Sequence, residues 1–256
     1  MVSGETPDPE AEAGPAGSEA APAAGPAGAG SSGGRIAVLV AARNEADRIA
    51  ATLESLGGAL PGATLWVADD ASNDGTADIA MTSGAQLVRR GRSHGKGGNM
   101  TACAEAMLSA PDLPQTVLLC DADLGESAGE LVRLVDAVES DESDLAVAAF
   151  AKRVGGGFGV ALGFSGWVIR KRCGATPAAP ISGQRAMSVD VLRAVLPFAP
   201  GYGMETGMTI DAVRAGYRLG EYEIDLAHRA TGRTLGGFIH RFRQLIDFAR
   251  VYISRR

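Results

Sequence analysis

Three acidic groups in this chain each follow a short apolar run: Asn44-Glu45, Asp69-Asp70 and Asp121-Ala122-Asp123. Carboxylates gathered at one edge repel one another unless a cation or a donor-rich ligand lies between them. In Asp121-Ala122-Asp123 the two acids occupy alternate positions, which point the same way at the end of a strand. Such oxygen ligands suit Mg2+ or Mn2+, with diphosphate oxygens completing the shell. Gly95-Lys96-Gly97-Gly98-Asn99 precedes a helical stretch, where backbone N–H groups and a lysine can cradle phosphate. Each group also has a plainer use, as a helix cap or as a solvated lysine in a loop. The loop is not a Walker A motif, because Arg90 stands where the first glycine belongs and Gly97 replaces the Ser/Thr that ligates magnesium. No G-x-G-x-x-G follows the first apolar run, which removes a dinucleotide site of that type.

The elements that must position these residues alternate in type. Strands are expected at Ile36–Ala41, Thr64–Ala68, Ala85–Arg89, Thr116–Cys120 and Leu145–Phe150. Helices are expected at Ala46–Leu56, ended by Gly57-Gly58; from an Asp74 cap through Met81; from about Gly98 to Leu108; and after a Ser127 cap, with Leu131, Leu134, Val135 and Val138 on one stripe. Strand–helix repetition implies an α/β fold with a mostly parallel sheet flanked by helices. Ligands of such sheets bind outside the carboxyl ends of the strands, where the three acidic groups fall.

Charge and composition narrow the function classes. The chain has 256 residues and a formal charge of −6, but residues 1–34 hold five acids and no base. The remainder has 24 bases against 25 acids, without the basic excess of a nucleic-acid binder. Residues 1–34 are rich in Ala, Gly and Pro and are expected to be a disordered tail, since they cannot bury enough apolar surface to offset ordering entropy. They lack the basic n-region and leucine-rich core of a signal peptide. Cys103, Cys120 and Cys173 are far apart with no C-x-x-C, which fits a reducing, cytoplasmic setting. The glycine-rich run Gly155–Ile169 is too short to span a bilayer.

Ala41-Ala42-Arg43-Asn44-Glu45, the run Asp69–Thr76, Gly95-Lys96-Gly97 and Asp121-Ala122-Asp123 occur in the order seen in nucleotide-sugar glycosyltransferases of family 2, which the chain resembles over about residues 35–150. The resemblance implies a Rossmann-like GT-A fold and a nucleotide diphosphate sugar donor, UDP-linked, with Ala41, Ala42, Arg43, Glu45 and Asp70 at the base and ribose. It places Lys96 at the diphosphate, Asp121 and Ala122 beside the ribose or metal, and Asp123 on the metal.

Ile181-Ser182-Gly183-Gln184, the run Pro197–Glu205 and His228-Arg229 resemble the glucosyl-3-phosphoglycerate synthase group. There a histidine before an arginine completes the metal site, so His228 is expected to join Asp123 on Mg2+ or Mn2+. Gly183, Gln184, Arg229 and Arg233 are the acceptor candidates. Two departures fall on the acceptor side: Arg153-Val154-Gly155-Gly156-Gly157 replaces the group's Gly-Gly-Arg-Val-Thr loop, and Ala230 stands where it has asparagine. Glu205 opens a helical run. It is the candidate general base of an inverting transfer, or the residue that positions the acceptor in a retaining one.

The last thirty residues hold seven arginines and one acid, Asp247, among Phe238, Ile239, Phe242, Leu245, Ile246 and Ala249. That basic amphipathic end docks on the core or lies on anionic lipid at the inner face of the membrane. One domain over residues 35–256 is therefore expected, with a donor half (35–150) and an acceptor half (151–256). Its activity is expected to be hexosyl transfer to a small phosphorylated acid or a polyprenyl phosphate, with peripheral membrane contact and a homodimer left open. The alternatives are a sugar-phosphate nucleotidyltransferase and a catalytically silent sugar-nucleotide-binding module.

Overall fold

The structure is a computed structural model that describes residues 35–150, 158–226 and 235–256. Strands and helices alternate through β1 (Ile36–Ala42), α1 (Ile49–Ala59), β2 (Thr64–Asp69), α2 (Thr76–Thr82), β3 (Gln86–Arg89), α3 (Gly95–Leu108), β4 (Thr116–Asp121), α4 (Val132–Glu139) and β5 (Leu145–Phe150). Then follow α5 (Phe158–Cys173), β6 (Arg185–Ser188), α6 (Val189–Val195), α7 (Met204–Arg214), β7 (Leu219–Ile224) and α8 (Leu235–Ser254). The seven strands form one sheet in the order β3-β2-β1-β4-β6-β5-β7. All neighbours are parallel except β6, which runs against both β4 and β5.

The near-continuous apolar strands are explained by burial on both faces. Val38 and Val40 of β1, with Leu118 of β4, pack toward Ile49, Leu53 and Leu56 of α1. Ala37 and Leu39, with Val117 and Leu119, pack toward Met100, Cys103 and Met107 of α3. Leu39 is fully buried, and burial of such a side chain stabilises the fold by about 1.5–3 kcal/mol. A third apolar cluster joins Val168 and Ile169 of α5, Ile210 of α7, and Phe248 and Val251 of α8.

Four expectations about element ends need correction. α1 begins at Ile49, after a turn in which Glu45 O accepts from Arg48 and Ile49 N–H, and it runs through Gly57 and Gly58. Burial of Leu56 and Leu60 holds that last turn despite the glycines. Gly75, at φ +90°, occupies the N-cap of α2, and Asp74 one residue earlier accepts from Thr76 N at 3.1 Å. Ser127 does not open α4, whose N-cap is Leu131: it lies within a 3-10 turn, Gly125–Leu131, and donates to Leu124 O at 2.8 Å. Finally, α3 starts at Gly95, so Lys96 belongs to its first turn. Among the described residues, no helix is long and apolar enough to cross a membrane.

Candidate functional site

The carboxyl ends of β1, β2 and β4 lie side by side. Ala41 is in register with Asp121, and Ala42 with Asp69. The carbonyls of Ala41 and Ala42 accept from Ala122 N at 3.0 Å and from Asp70 N at 2.9 Å, extending the ladder into the loops. The order reverses here, with β2 on one side of β1 and β4 on the other, which makes this edge the switch point of the sheet.

The two members of Asp69-Asp70 have different surroundings. Asp69 is fully buried, with Arg89 Nε at 3.1 Å and the Ser72 hydroxyl as partners. Asp70 lies on the α3 side and accepts from His94 N at 2.7 Å, Ser93 Oγ at 2.6 Å and Arg43 Nη1 at 3.3 Å. It thus anchors the segment that leads into Lys96. The loop after β1 is held to the loop after β2 by Asn44 N to Ser72 Oγ, Glu45 N to Thr76 Oγ1 and Ala46 N to Asp74 Oδ2, at 2.9–3.1 Å. The Thr76 hydroxyl, at 2.5 Å from Asp74, is the main cause that holds the Asp74 carboxyl below its usual range.

At the centre of the edge, one cation is shared by two acids. Lys96 Nζ lies 2.7 Å from Asp121 Oδ1 and 2.9 Å from Glu205 Oε1. Burial alone would push the Lys96 ammonium toward neutrality, but Asp121 and Glu205 outweigh it and raise its pKa above the usual 10.5. Gln184 Nε2 donates to the other Asp121 oxygen at 2.9 Å. Gly183 passes so close that a Cβ there would run into Lys96 Nζ and lie 2.7 Å from Asp121 Oδ2. Gly183 and Gln184 therefore meet Lys96 and Asp121 directly, and the first turn of α3, the end of β4 and the start of α7 converge on one ammonium group.

Beneath this cluster lies a residue that the sequence reading missed. Arg185, the first residue of β6, is buried and donates to Ser182 O at 2.8 Å, Thr209 Oγ1 at 2.9 Å and Pro180 O at 3.4 Å. Burial lowers its pKa to about 10, opposed by the Glu205 and Glu221 carboxylates. Thr209 Oγ1 in turn donates to Glu205 O at 3.0 Å. An arginine at the head of a four-residue strand gives no pattern from which its burial could be read.

The acidic turn itself is pinned from outside by one face of α1. Arg48 Nη1 donates to Asp123 O at 2.9 Å. Thr52 Oγ1 donates to Ala122 O and accepts from Gly125 N, both at 2.8 Å. Ser55 Oγ donates to Glu126 O at 2.6 Å and accepts from Gly129 N at 2.9 Å. His228, Arg229 and Arg233 lie outside the described residues. Among the described residues, no group of three or more His, Cys, Asp or Glu side chains is placed to hold a metal. The carboxylates at the end of β4 are hard oxygen donors, which fits an ion of the Mg2+ type that takes one or two carboxylates and completes its shell with substrate phosphate and water.

The profile of glycosyl transferase family 2 matches residues 37–179. The undecaprenyl-phosphate mannosyltransferase of Micrococcus luteus is 30% identical over 216 residues, covering 78% of this chain and 86% of that protein. Among solved structures, glucosyl-3-phosphoglycerate synthase from Mycobacterium tuberculosis with Mn2+, UDP and glucosyl-3-phosphoglycerate superposes with a TM-score of 0.68 at 27% identity, covering 88% of this chain and 81% of that one. The same synthase with Mg2+ and UDP gives 0.70 at 27% identity, with the same coverage. The sheet and helices described above have the GT-A arrangement of these structures.

Proposed function

Because this chain belongs to glycosyl transferase family 2 and is therefore a glycosyltransferase, we propose that it moves a hexose from a UDP-sugar to a phosphorylated acceptor with Mg2+ or Mn2+. The observation that carries this proposal is the Lys96 ammonium held between Asp121 and Glu205. It sets a positive charge at the switch point, between the strand end that meets the donor and the helix start that meets the acceptor. Family membership sets aside the nucleotidyltransferase and the silent binding module.

In this proposal the loop after β1, with Ala41, Ala42, Arg43 and Glu45, and the carboxylate of Asp70 line the base and ribose. Lys96 donates to the diphosphate as charge develops on it, which lowers the barrier by stabilising the leaving group. Asp123, joined by His228, would hold the divalent ion, whose chemistry is neutralisation of the departing diphosphate. Glu205, buried and fixed by Lys96, orients the acceptor hydroxyl or phosphate oxygen, or takes its proton. Arg229 and Arg233 supply charge for the acceptor phosphate. Support for UDP and the metals comes from the synthase structures that carry them, and support for a phosphorylated acceptor from both relatives.

A thermal-shift screen of UDP-, GDP-, ADP- and dTDP-sugars, with and without Mn2+, tests this. A donor at ~100 Kd adds about 2.7 kcal/mol to stability. The expected result is a Mn2+-dependent shift with a UDP-sugar that Asp123→Ala abolishes. A shift of equal size in Asp123→Ala would remove the metal role, and no shift with any UDP-sugar would overturn the donor.

A further inference from the structure

We propose that Glu221, on the outermost strand β7, is a positioning residue for donor binding: through residues 178–184 it sets the Gln184 amide, which holds Asp121 and with it Lys96. The inference rests on the role proposed for Lys96 at the diphosphate and adds the residues that aim it. Asp121 Oδ1 meets Lys96 Nζ at 2.7 Å, while Asp121 Oδ2 accepts from Gln184 Nε2 at 2.9 Å. Both carboxylate oxygens are therefore engaged, one by the ammonium and one by the amide.

Only the nitrogen end of that amide can serve a carboxylate. The backbone of Gln184 is fixed separately, because its carbonyl accepts from Ala148 N of β5 at 3.0 Å. What is left to decide is which end of the side chain faces Asp121. Ser182 Oγ donates to Gln184 Oε1 at 3.3 Å, which leaves Nε2 for the acid. The reverse orientation would set an amide oxygen against the carboxylate. Gln184 is buried, so water would not relieve that mismatch.

Ser182 is held in its turn. It lies between α5 and β6, in a stretch without helix or strand, whose backbone groups need partners from elsewhere. Ser182 N donates to Ala179 O at 3.2 Å, and its carbonyl accepts from Arg185 Nε at 2.8 Å. Ala179 N and Ala178 N donate to the two Glu221 carboxylate oxygens at 2.7 Å and 2.8 Å. An acid thus takes amides of this stretch and a guanidinium takes its carbonyls. Register accounts for the division: Arg185 and Glu221 both pair with Val147 of β5, which puts their side chains on the same face of the sheet. Direct contacts therefore run without a break from Glu221 through Ala179, Ser182, Gln184 and Asp121 to Lys96.

The test compares the affinities of the full chain for UDP and UMP, with Mn2+ present, by isothermal titration calorimetry. The two nucleotides share base, ribose and one phosphate, so the ratio isolates the second phosphate. A partly unfolded variant loses both affinities alike, which cancels in the ratio. Lys96→Ala is the reference and should lower the preference for UDP by about tenfold or more, as loss of a charged hydrogen bond does. Glu221→Ala and the milder Ser182→Ala should each lower it by about fivefold, the worth of one neutral hydrogen bond. Glu221→Ala combined with Gln184→Ala should be no worse than Gln184→Ala alone, since both break one series of contacts. A parent-like ratio in Glu221→Ala or in Ser182→Ala, or losses that multiply in the double variant, overturns the inference and leaves Lys96 its role. A parent-like ratio in Lys96→Ala removes Lys96 from the diphosphate and the inference with it. A parent that binds GDP in place of UDP refutes the donor proposal alone, and the GDP–GMP ratio then decides the inference in the same variants.

Discussion

Gly97 and Gly98 stand side by side in the first turn of α3, and alanine at the two positions should have opposite effects. Alanine normally stabilises a helix over glycine by up to about 1 kcal/mol. At Gly98 a Cβ would meet only the His94 Cβ, at 3.4 Å, an ordinary contact. At Gly97 it would enter the envelope of the Ala199 carbonyl oxygen, 3.0 Å from the carbonyl carbon and 3.4 Å from Met204 Cβ. Backbone cannot rotate away as a side-chain tip can, so α3 and the 199–204 segment must part by on the order of 1 Å. Overpacking of that kind costs about 1–3 kcal/mol. Lys96, one residue earlier, would be drawn off Glu205, from which it now lies 2.9 Å. Differential scanning fluorimetry of Gly97→Ala should show a melting temperature lower by roughly 2–12 °C, at 2–4 °C per kcal/mol for a chain of this size. Gly98→Ala should match or exceed the parent. A misplacement near 1 Å should also lower hexosyl transfer by about a hundredfold in Gly97→Ala. If Gly97→Ala melts at or above the parent temperature, helix propensity has decided the outcome and the close approach of α3 to Ala199 is refuted.

Glu205→Gln keeps the volume of the side chain, so the UDP-sugar thermal shift should persist while transfer falls by about 10²-fold or more; equal turnover would exclude Glu205 from proton transfer and acceptor positioning. Arg185→Met should cost about 2–4 kcal/mol, read by urea denaturation, because three buried acceptors lose a charged donor; a loss below about 1 kcal/mol would contradict the hydrogen-bond geometry. Burial pushes the Cys103 thiol up from 9.0 to about 12, with Cys120 also raised by burial, while Cys173 is partly exposed. A maleimide at pH 8 should therefore label Cys173 alone in the native chain and all three cysteines after unfolding. Because the native pKa of Cys103 is raised, its contribution to stability is complete below about pH 9 and should fade as the pH climbs toward about 12. Fast native labelling of Cys103 would refute its burial.

The parallel half of the sheet was legible because burial on both faces writes a plain signal, as in Val117-Leu118-Leu119-Cys120. The ends of those strands then selected Asp70 and Asp121, and the glycine-rich run before a helix selected Lys96, before any contact was known. What could not be read was long-range. Lys96 and Glu205 are over a hundred residues apart, and nothing local in either tells of a shared proton donor. β6 escaped because Arg185-Ala186-Met187-Ser188 is short and opens on a charge. Gly57-Gly58 misled because burial of Leu60 outweighs a local preference to stop, and Ser127 misled because the turn around it is shaped by Thr52 and Ser55.

That external fastening of residues 122–129 has a consequence for how the enzyme could change. Arg48, Thr52 and Ser55 hold carbonyls and amides of the turn from outside, so much of its backbone path is set by side chains of another element. A substitution at Asp123 would leave these anchors in place, because Arg48 binds its backbone carbonyl and not its carboxylate. Substitution at Thr52, fully buried and seventy residues before the acidic turn, would do the reverse. The chain thus separates the spelling of its acidic turn from its shape, and new specificities can be tried on one without endangering the other.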